Sequence, residues 1–534
     1  MPAFAQQTSR RRRTPIVGHS ICASAATLLS IVLLTSPLVV AQTRHAQPAT
    51  PPQSNPIIPG DHPDPTIIRV GTTYWMTSTS GGWAPQFVIY RSPDLRRWTA
   101  TGAVFPHTPA WATGDFWAPE MVADRGRVLV YYVARKRGGP LCIAAATAAA
   151  PQGPFVDHGP LLCQPDGSID PSFVRDENGK PFLIWKEDGN SIGKPTPIYA
   201  QPLTDDLLHL TGEKTQLITN DPGTWEGGVV EAPYVLRHGG RFYLLYAGNA
   251  CCGLQCNYAE GVARADHLFG PWEKDPANPF IRANGNWKCP GHGTAVQTSH
   301  HEDYFLYHAY PVNGTVYLGR ESVLDRITWN PNGWPEVNAG RGPGGTVASP
   351  TPVAFSDEFS SGHLDPEWRW PIGGEPDAKV SGSRLTLTVP GPRDHVFIAR
   401  SPLSAAYTAS VNVLPGASAA PALAVIGNAE NECMLLLQGR HLELRRLAKD
   451  DKHVLWRSDD LPPNPVWLRF QVDKQTRATF SYSLDRKNWI SAGSPVTLVG
   501  LPPWDQGLRV GLVAVGAPGS SASFAHFLLG AEDK

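Results

Sequence analysis

The sequence predicts an all-β chain: a five-bladed β-propeller over residues 55–340, then a β-sandwich over residues 354–534. Three observations carry this. One phrase recurs five times in the first part, glycine (51) and proline (52) are abundant among the 534 residues, and the last third alternates apolar with polar side chains. The length allows two to four domains. A hydrophobic share of 41% with only 17% charged residues excludes a disordered chain and argues against long charged helices.

Ahead of the repeats lies a segment that reads as an address. Arg10 to Arg13 supply four positive charges, and an apolar stretch from Ile21 to Val40 ends in Val39-Val40-Ala41, a small-residue cleavage context. Residues 1–41 are therefore expected to be a signal peptide, and residues 42–54 a flexible N-terminal segment. An uncleaved anchor is the other reading, and Pro37 and the serines that dilute the stretch weigh against it. After cleavage no stable membrane insertion is expected, and the protein is placed outside the cytoplasm, secreted to a periplasmic or extracellular location. Loss of the four arginines takes the formal charge from −1 to −5. With 46 Lys and Arg against 47 Asp and Glu, no basic surplus exists to neutralise phosphates, so no nucleic-acid partner is expected.

The repeats start at Asp64 (DPTIIRVGTTYWMTS), Ala118 (APEMVADRGRVLVYYVA), Asp170 (DPSFVRDENGKPFLIWKED), Ala232 (APYVLRHGGRFYLLYAG) and His292 (HGTAVQTSHHEDYFLYHAY). Each has a small, acidic or imidazole start, an apolar pair, a polar turn, and an aromatic or β-branched run. Starts are 54, 52, 62 and 60 residues apart, room for about four short strands per unit. Turn phrases such as Arg91-Ser92-Pro93-Asp94 and Phe269-Gly270-Pro271-Trp272 then close the outer strands. Residues 341–353, within a Gly/Pro-rich stretch, read as a linker. Beyond it, runs such as Leu385 to Val389 and Val466 to Val472 alternate as strands of an antiparallel sandwich.

Seven cysteines survive removal of the address, so one is expected to stay unpaired. Cys251-Cys252-Gly253-Leu254-Gln255-Cys256 reads as a disulfide-braced loop, with free thiols or a metal knuckle as the other readings. No second pair completes a four-ligand set.

In a propeller, equivalent positions on the innermost strands form a ring about the axis. Aligned repeat starts therefore share a pocket. They hold Asp64, Asp170 and, one place earlier in its repeat, Glu231, with Trp117 and His292 at the remaining two. One Asp-Pro start is an ordinary turn former; three acids at matching positions are an expensive arrangement, because like charges raise one another's pKa. Glycoside hydrolysis uses that cost, since it needs one protonated acid and one ionised base in unlike environments.

The segments Asn55 to Pro65, Phe116 to Glu120, Ser168 to Pro171, Glu231-Ala232-Pro233, Pro290 to Gly293 and Gly319-Arg320 together resemble glycoside hydrolase family 43 in order and spacing. The resemblance implies an inverting hydrolase that releases α-L-arabinofuranosyl or β-D-xylosyl units from plant-type pentosans, taking an oligo- or polysaccharide as its substrate. By position it makes Asp64 the general base, Glu231 the general acid, and Asp170 the group that raises and orients that acid. The region from Phe355 to Trp370 is similar to the concanavalin A-like jelly roll appended to family β-xylosidases and arabinofuranosidases, which can help close their pocket. Trp83 is expected as an aromatic wall or as packing, Trp117 as a rim platform or as packing, and Arg320 as a sugar or acid contact or a structural ion pair. His292 is read as an axis residue, an ion or water contact, or a structural histidine. No cofactor is required, and a structural Ca2+ near His292 is the one ion considered. An endo-1,5-α-L-arabinanase is the rival within the enzyme class; a non-catalytic carbohydrate-binding protein is the rival from another class.

Overall fold

Each copy of the repeated phrase folds as the first hairpin of a four-stranded antiparallel sheet. The computed structural model describes residues 55–345, 354–414, 416–449 and 451–531. The expected signal peptide, the segment 42–54 and residues 346–353 of the expected linker lie outside these. The chain is all-β: among the described residues the helical content is two three-residue 3-10 turns, and no helix is long and apolar enough to cross a membrane.

The five sheets begin with the strands Thr66–Val70, Ala112–Asp124, Ser168–Arg175, Val230–His238 and Trp287–Gln297. Each of these first strands touches the first strand of the next sheet, and the fifth touches the first, so the five close a ring. Period-2 alternation explains how the sheets stack. In the run Leu129-Val130-Tyr131-Tyr132, Leu129 and Tyr131 face a core shared with Leu183 and Trp185 of the third sheet. Val130 and Tyr132 face the opposite way, into a core shared with Phe87 and Phe116. Buried on both faces, these strands carry near-continuous apolar sequence. The ring is fastened where the chain enters it: the Ile57 N–H donates to the Ser322 carbonyl at 3.0 Å, and Asn55 bonds both the backbone of Leu324 and the carboxylate of Asp325.

Residues 341–345 do not hang free. Asn284 Nδ2 donates to the Pro343 carbonyl at 2.8 Å, and Trp287 Nε1 donates to the Gly344 carbonyl at 2.6 Å, so this stretch packs on the fifth sheet.

Residues 354–531 form a nine-stranded and a six-stranded antiparallel sheet, which share one apolar core including Leu387, Phe470 and Phe524 from the first and Ile398, Leu435 and Leu512 from the second. The two lobes meet through backbone as well as side chains. Strand Trp83–Ala84 pairs with Trp370–Pro371, and the Leu508 N–H donates to the Tyr317 carbonyl at 2.7 Å. A Cβ on Gly507 would lie 2.7 Å from the Leu318 oxygen, so only glycine permits this approach.

Candidate active site

The repeat starts are corners. Asp64, Ala118, Asp170, Ala232 and His292 all have left-handed backbone, with φ of 50°, 41°, 54°, 55° and 52°. In the second to fifth sheets the register between first and second strands shifts at this point, and such bulges re-aim side chains out of the ladder. A corner also strands a backbone N–H, which must find a partner when buried. Neighbouring sheets supply it: Asp64 N–H donates to His308 Nδ1, Ala118 N–H to Thr79 Oγ1, Ala232 N–H to Asp170 Oδ2, and His292 N–H to Glu260 Oε2. The side chains that stitch the ring together thereby become the ones around its axis.

Asp64, Asp170, Glu231, Trp117, His292 and Arg320 all line one cavity of about 680 Å3. Trp83 does not. It is 3% exposed, packs against Phe397 and donates from Nε1 to Gln506 Oε1 at 3.1 Å, because pairing of its strand with Trp370–Pro371 sets it in the seam between lobes. The expectation of a sugar wall at Trp83 is therefore corrected. The second lobe supplies an aromatic instead: Trp504 lines the cavity and is 71% exposed.

The three carboxylates differ in their surroundings. Asp64 is buried, which opposes ionisation, but Arg320 Nη1 at 2.9 Å from Oδ1 and His292 at 3.4 Å outweigh burial and hold it well below the usual carboxylate range. Thr79 Oγ1 donates to its other oxygen at 2.7 Å. Buried His308 is pushed down to about 4 and is neutral; its Nδ1 accepts the Asp64 N–H, so the 3.2 Å approach to Oδ1 is not an ion pair. Burial pushes Asp170 up to about 6, with His292 opposing and the Glu231 charge reinforcing the rise. Glu231 is also buried, yet it is held below its ordinary value by Lys186 Nζ, 2.8 Å from Oε2, and by Tyr258 Oη, which donates to Oε1 at 2.7 Å. Lys186 reaches Asp188 as well, at 2.9 Å.

Among the described residues no group of three or more His, Cys, Asp or Glu side chains is disposed to hold a metal ion. Next to His292, Glu260 is raised well above 4.5 by burial and is a neutral acid, and Asp64 is engaged by Arg320 and Thr79. A Ca2+ near His292 does not fit this donor set.

Lys186, Tyr258, His308 and Trp504 were not singled out from sequence. A signal existed for two of them: Lys186 in FLIWKED and His308 in YFLYHAY put a basic side chain into runs that carry none in the other repeats. Trp504 had none, since it comes from the other lobe. The cavity wall also includes a disulfide between adjacent residues, Cys251–Cys252, while Cys256–Cys289 and Cys142–Cys163 brace loops and strands; among the described residues, buried Cys433 is the free cysteine.

A ring of β-sheets presenting unlike buried carboxylates to one cavity is equipment for general acid–base chemistry. The sequence model of glycosyl hydrolases family 43 matches residues 53–335, and the chain belongs to that family. A xylan 1,3-β-xylosidase of a Vibrio species is 28% identical over 330 residues, covering 55% of this chain and 59% of the relative. A non-reducing-end α-L-arabinofuranosidase of Bacteroides ovatus is 24% identical over 467 residues, covering 80% and 84%. The chain spans less than two thirds of that Vibrio relative, and 63% of a relative from Escherichia coli. Among solved structures, a family 43 protein of Bacillus licheniformis superposes with a TM-score of 0.76 at 23% identity, over 90% of this chain and all of that one.

Proposed function

We propose that the protein is an exported, inverting exo-glycosidase that removes α-L-arabinofuranosyl or β-D-xylosyl units from xylan, arabinan or arabinoxylan. The five-sheet ring is read as a five-bladed propeller carrying the chemistry, and the second lobe as a concanavalin A-like sandwich that walls the pocket. Relatives named as xylosidases, arabinofuranosidases and an endo-arabinanase support the substrate class. Three disulfides and the arginine-led apolar segment of residues 1–41 support export, since such bonds persist in oxidising compartments.

One observation carries the reading: Asp64 and Glu231 face the same cavity in unlike surroundings, the first held ionised by Arg320 and the second near Asp170, whose carboxyl is pushed up by burial and by the Glu231 charge. In the proposed reaction Asp64 accepts a proton from water as the water attacks the anomeric carbon, and Glu231 protonates the departing oxygen. Asp170 supports the acid by its charge and fixes its orientation through the Ala232 N–H, 2.8 Å from Oδ2. Of the two groups Asp170 binds the proton more tightly, because Lys186 holds Glu231 ionised. Lys186 already touches Asp188, so a small swing of its ammonium toward Asp188 lets the proton pass to Glu231 once the leaving group is in place. Trp504, Asp505 and the Cys251–Cys252 wall close one side of the cavity and favour removal of terminal units over cleavage within a chain.

The test is hydrolysis of p-nitrophenyl α-L-arabinofuranoside and β-D-xyloside alongside linear arabinan and xylan, with the product anomer followed by NMR in the first turnovers. Monosaccharide of inverted configuration supports the reading. Retained configuration refutes the roles of Asp64 and Glu231, internal cleavage of arabinan favours an endo-arabinanase, and binding without turnover favours a carbohydrate-binding protein.

A further inference from the structure

The seam between the lobes buries a guanidinium, that of Arg369, which no carboxylate pairs. Arg369, Arg400 and Arg509, 9%, 3% and 5% exposed, line a cavity of about 20 Å3 together with Asp61, Glu367, His62 and Tyr90. Arg400 is matched twice, with Nη2 at 2.7 Å from Glu367 and Nη1 at 3.4 Å from Asp365. Arg509 lies 3.8 Å from Asp61, bonds Ser401 Oγ at 3.1 Å and stacks over the Trp83 ring. The Arg369 guanidinium has no carboxylate within ion-pair reach and donates from Nη2 to the Trp83 carbonyl at 3.5 Å. The Nε of all three guanidiniums is buried with no hydrogen-bond partner.

Arg400 and Arg509 thus have carboxylates within ion-pair reach, and Arg369 has none. His62, pushed down to about 4 by burial, is neutral, and Tyr90 is raised well above its ordinary value. Guanidinium does not relieve such a site by losing its proton, and a buried charge left unpaired is strongly destabilising. The cavity has room for an occupant of about one water's size, since ~10–15 Å3 suffices for a water.

We infer that this cavity is a binding site for one small monovalent inorganic anion, of the halide class, held by Arg369 and Arg509 and pairing the Arg369 charge. A water leaves that guanidinium without a counter-charge, and a polyatomic organic anion is too large for the space. Through Asp61 the site reaches the first cavity: Asp61 Oδ1 accepts the Arg320 N–H at 3.1 Å and Oδ2 accepts the Gly507 N–H at 3.2 Å, next to Trp504 and Asp505.

The experiment measures thermal unfolding of the full chain in sodium gluconate, with chloride or bromide replacing gluconate at constant ionic strength. A ligand at ~100 times its Kd is expected to raise Tm by about 3 °C, saturably. Arg369→Met is expected to abolish the rise. Equal Tm in gluconate and chloride overturns the inference, as does an undiminished rise in Arg369→Met. If that variant does not fold, the wild-type titration still decides, together with crystals grown in bromide: an anomalous peak within hydrogen-bond distance of Arg369 supports the site, and a water there refutes it.

Discussion

Lys186 Nζ bridges Glu231 and Asp188 at 2.8 and 2.9 Å, from a side chain only 1% exposed. An ammonium this close to the proposed acid lowers its proton affinity, and a neutral side chain in its place raises it. Lys186→Met is therefore expected to move the alkaline limb of the kcat/KM profile upward by about one pH unit or more. Asp170→Asn removes a negative neighbour and moves the limb the other way. Limbs that stay in place in both variants would remove Glu231 from the role of acid.

The pH profile of the wild type follows from the same groups. Asp64 is held far down, so its ionisation imposes no loss of rate until well into acid. The Asp170–Glu231 pair gives up its shared proton as pH rises through about 6, the position of Asp170. Activity is expected to decline above that pH, as measured by kcat/KM on a p-nitrophenyl pentoside.

Substituting the two proposed catalytic carboxylates separates their roles. Asp64→Asn is expected to lower kcat by about 10²–10⁴ on every substrate, because water activation is common to all. Glu231→Gln is expected to cost far more on xylobiose or arabinobiose than on p-nitrophenyl glycosides, whose leaving group departs without a proton. Equal losses on both would contradict the assignment.

Trp504 and the Cys251–Cys252 pair wall the cavity. Loss of the exposed indole in Trp504→Ala is expected to raise KM about tenfold with kcat nearly unchanged, the signature of binding shared by ground and transition states. The double variant Cys251→Ser, Cys252→Ser, which keeps Cys256–Cys289, is expected to raise KM in the same manner. A fall in kcat at constant KM would place these groups in the chemistry instead.

Glu120 is a buried acid whose one hydrogen bond is from Thr66 Oγ1 at 3.1 Å, and burial pushes it up to about 8 from 4.5. The folded state keeps a proton that the unfolded state has lost, so stability falls as pH rises from about 4.5 through 8. The slope from one such group is up to about 1.4 kcal/mol per pH unit. Glu120→Gln is expected to remove that slope in urea titrations at pH 5 and 7.5, leaving the slope from Glu321, which burial also raises to about 8.

Much of this molecule was legible from sequence because the repeats carry their own geometry. The alternating runs after Asp64, Ala118, Asp170, Ala232 and His292 determined five like hairpins, and the period-2 pattern determined which residues face which core. Like corners at the repeat starts then placed Asp64 and Asp170, with Glu231 one residue before its corner, around one cavity, although 167 positions separate the first from the last. The tertiary structure alone decided what lies between repeats and between lobes. Lys186 and Tyr258 set the proton affinity of Glu231 from neighbouring strands, and Coulomb energies depend on distances that no spacing in the chain encodes. Trp83 and Trp504 exchanged roles for the same reason. One is drawn into a seam by a partner strand near residue 370, and the other is carried to the cavity by a lobe whose docking depends on surfaces assembled only after both lobes fold.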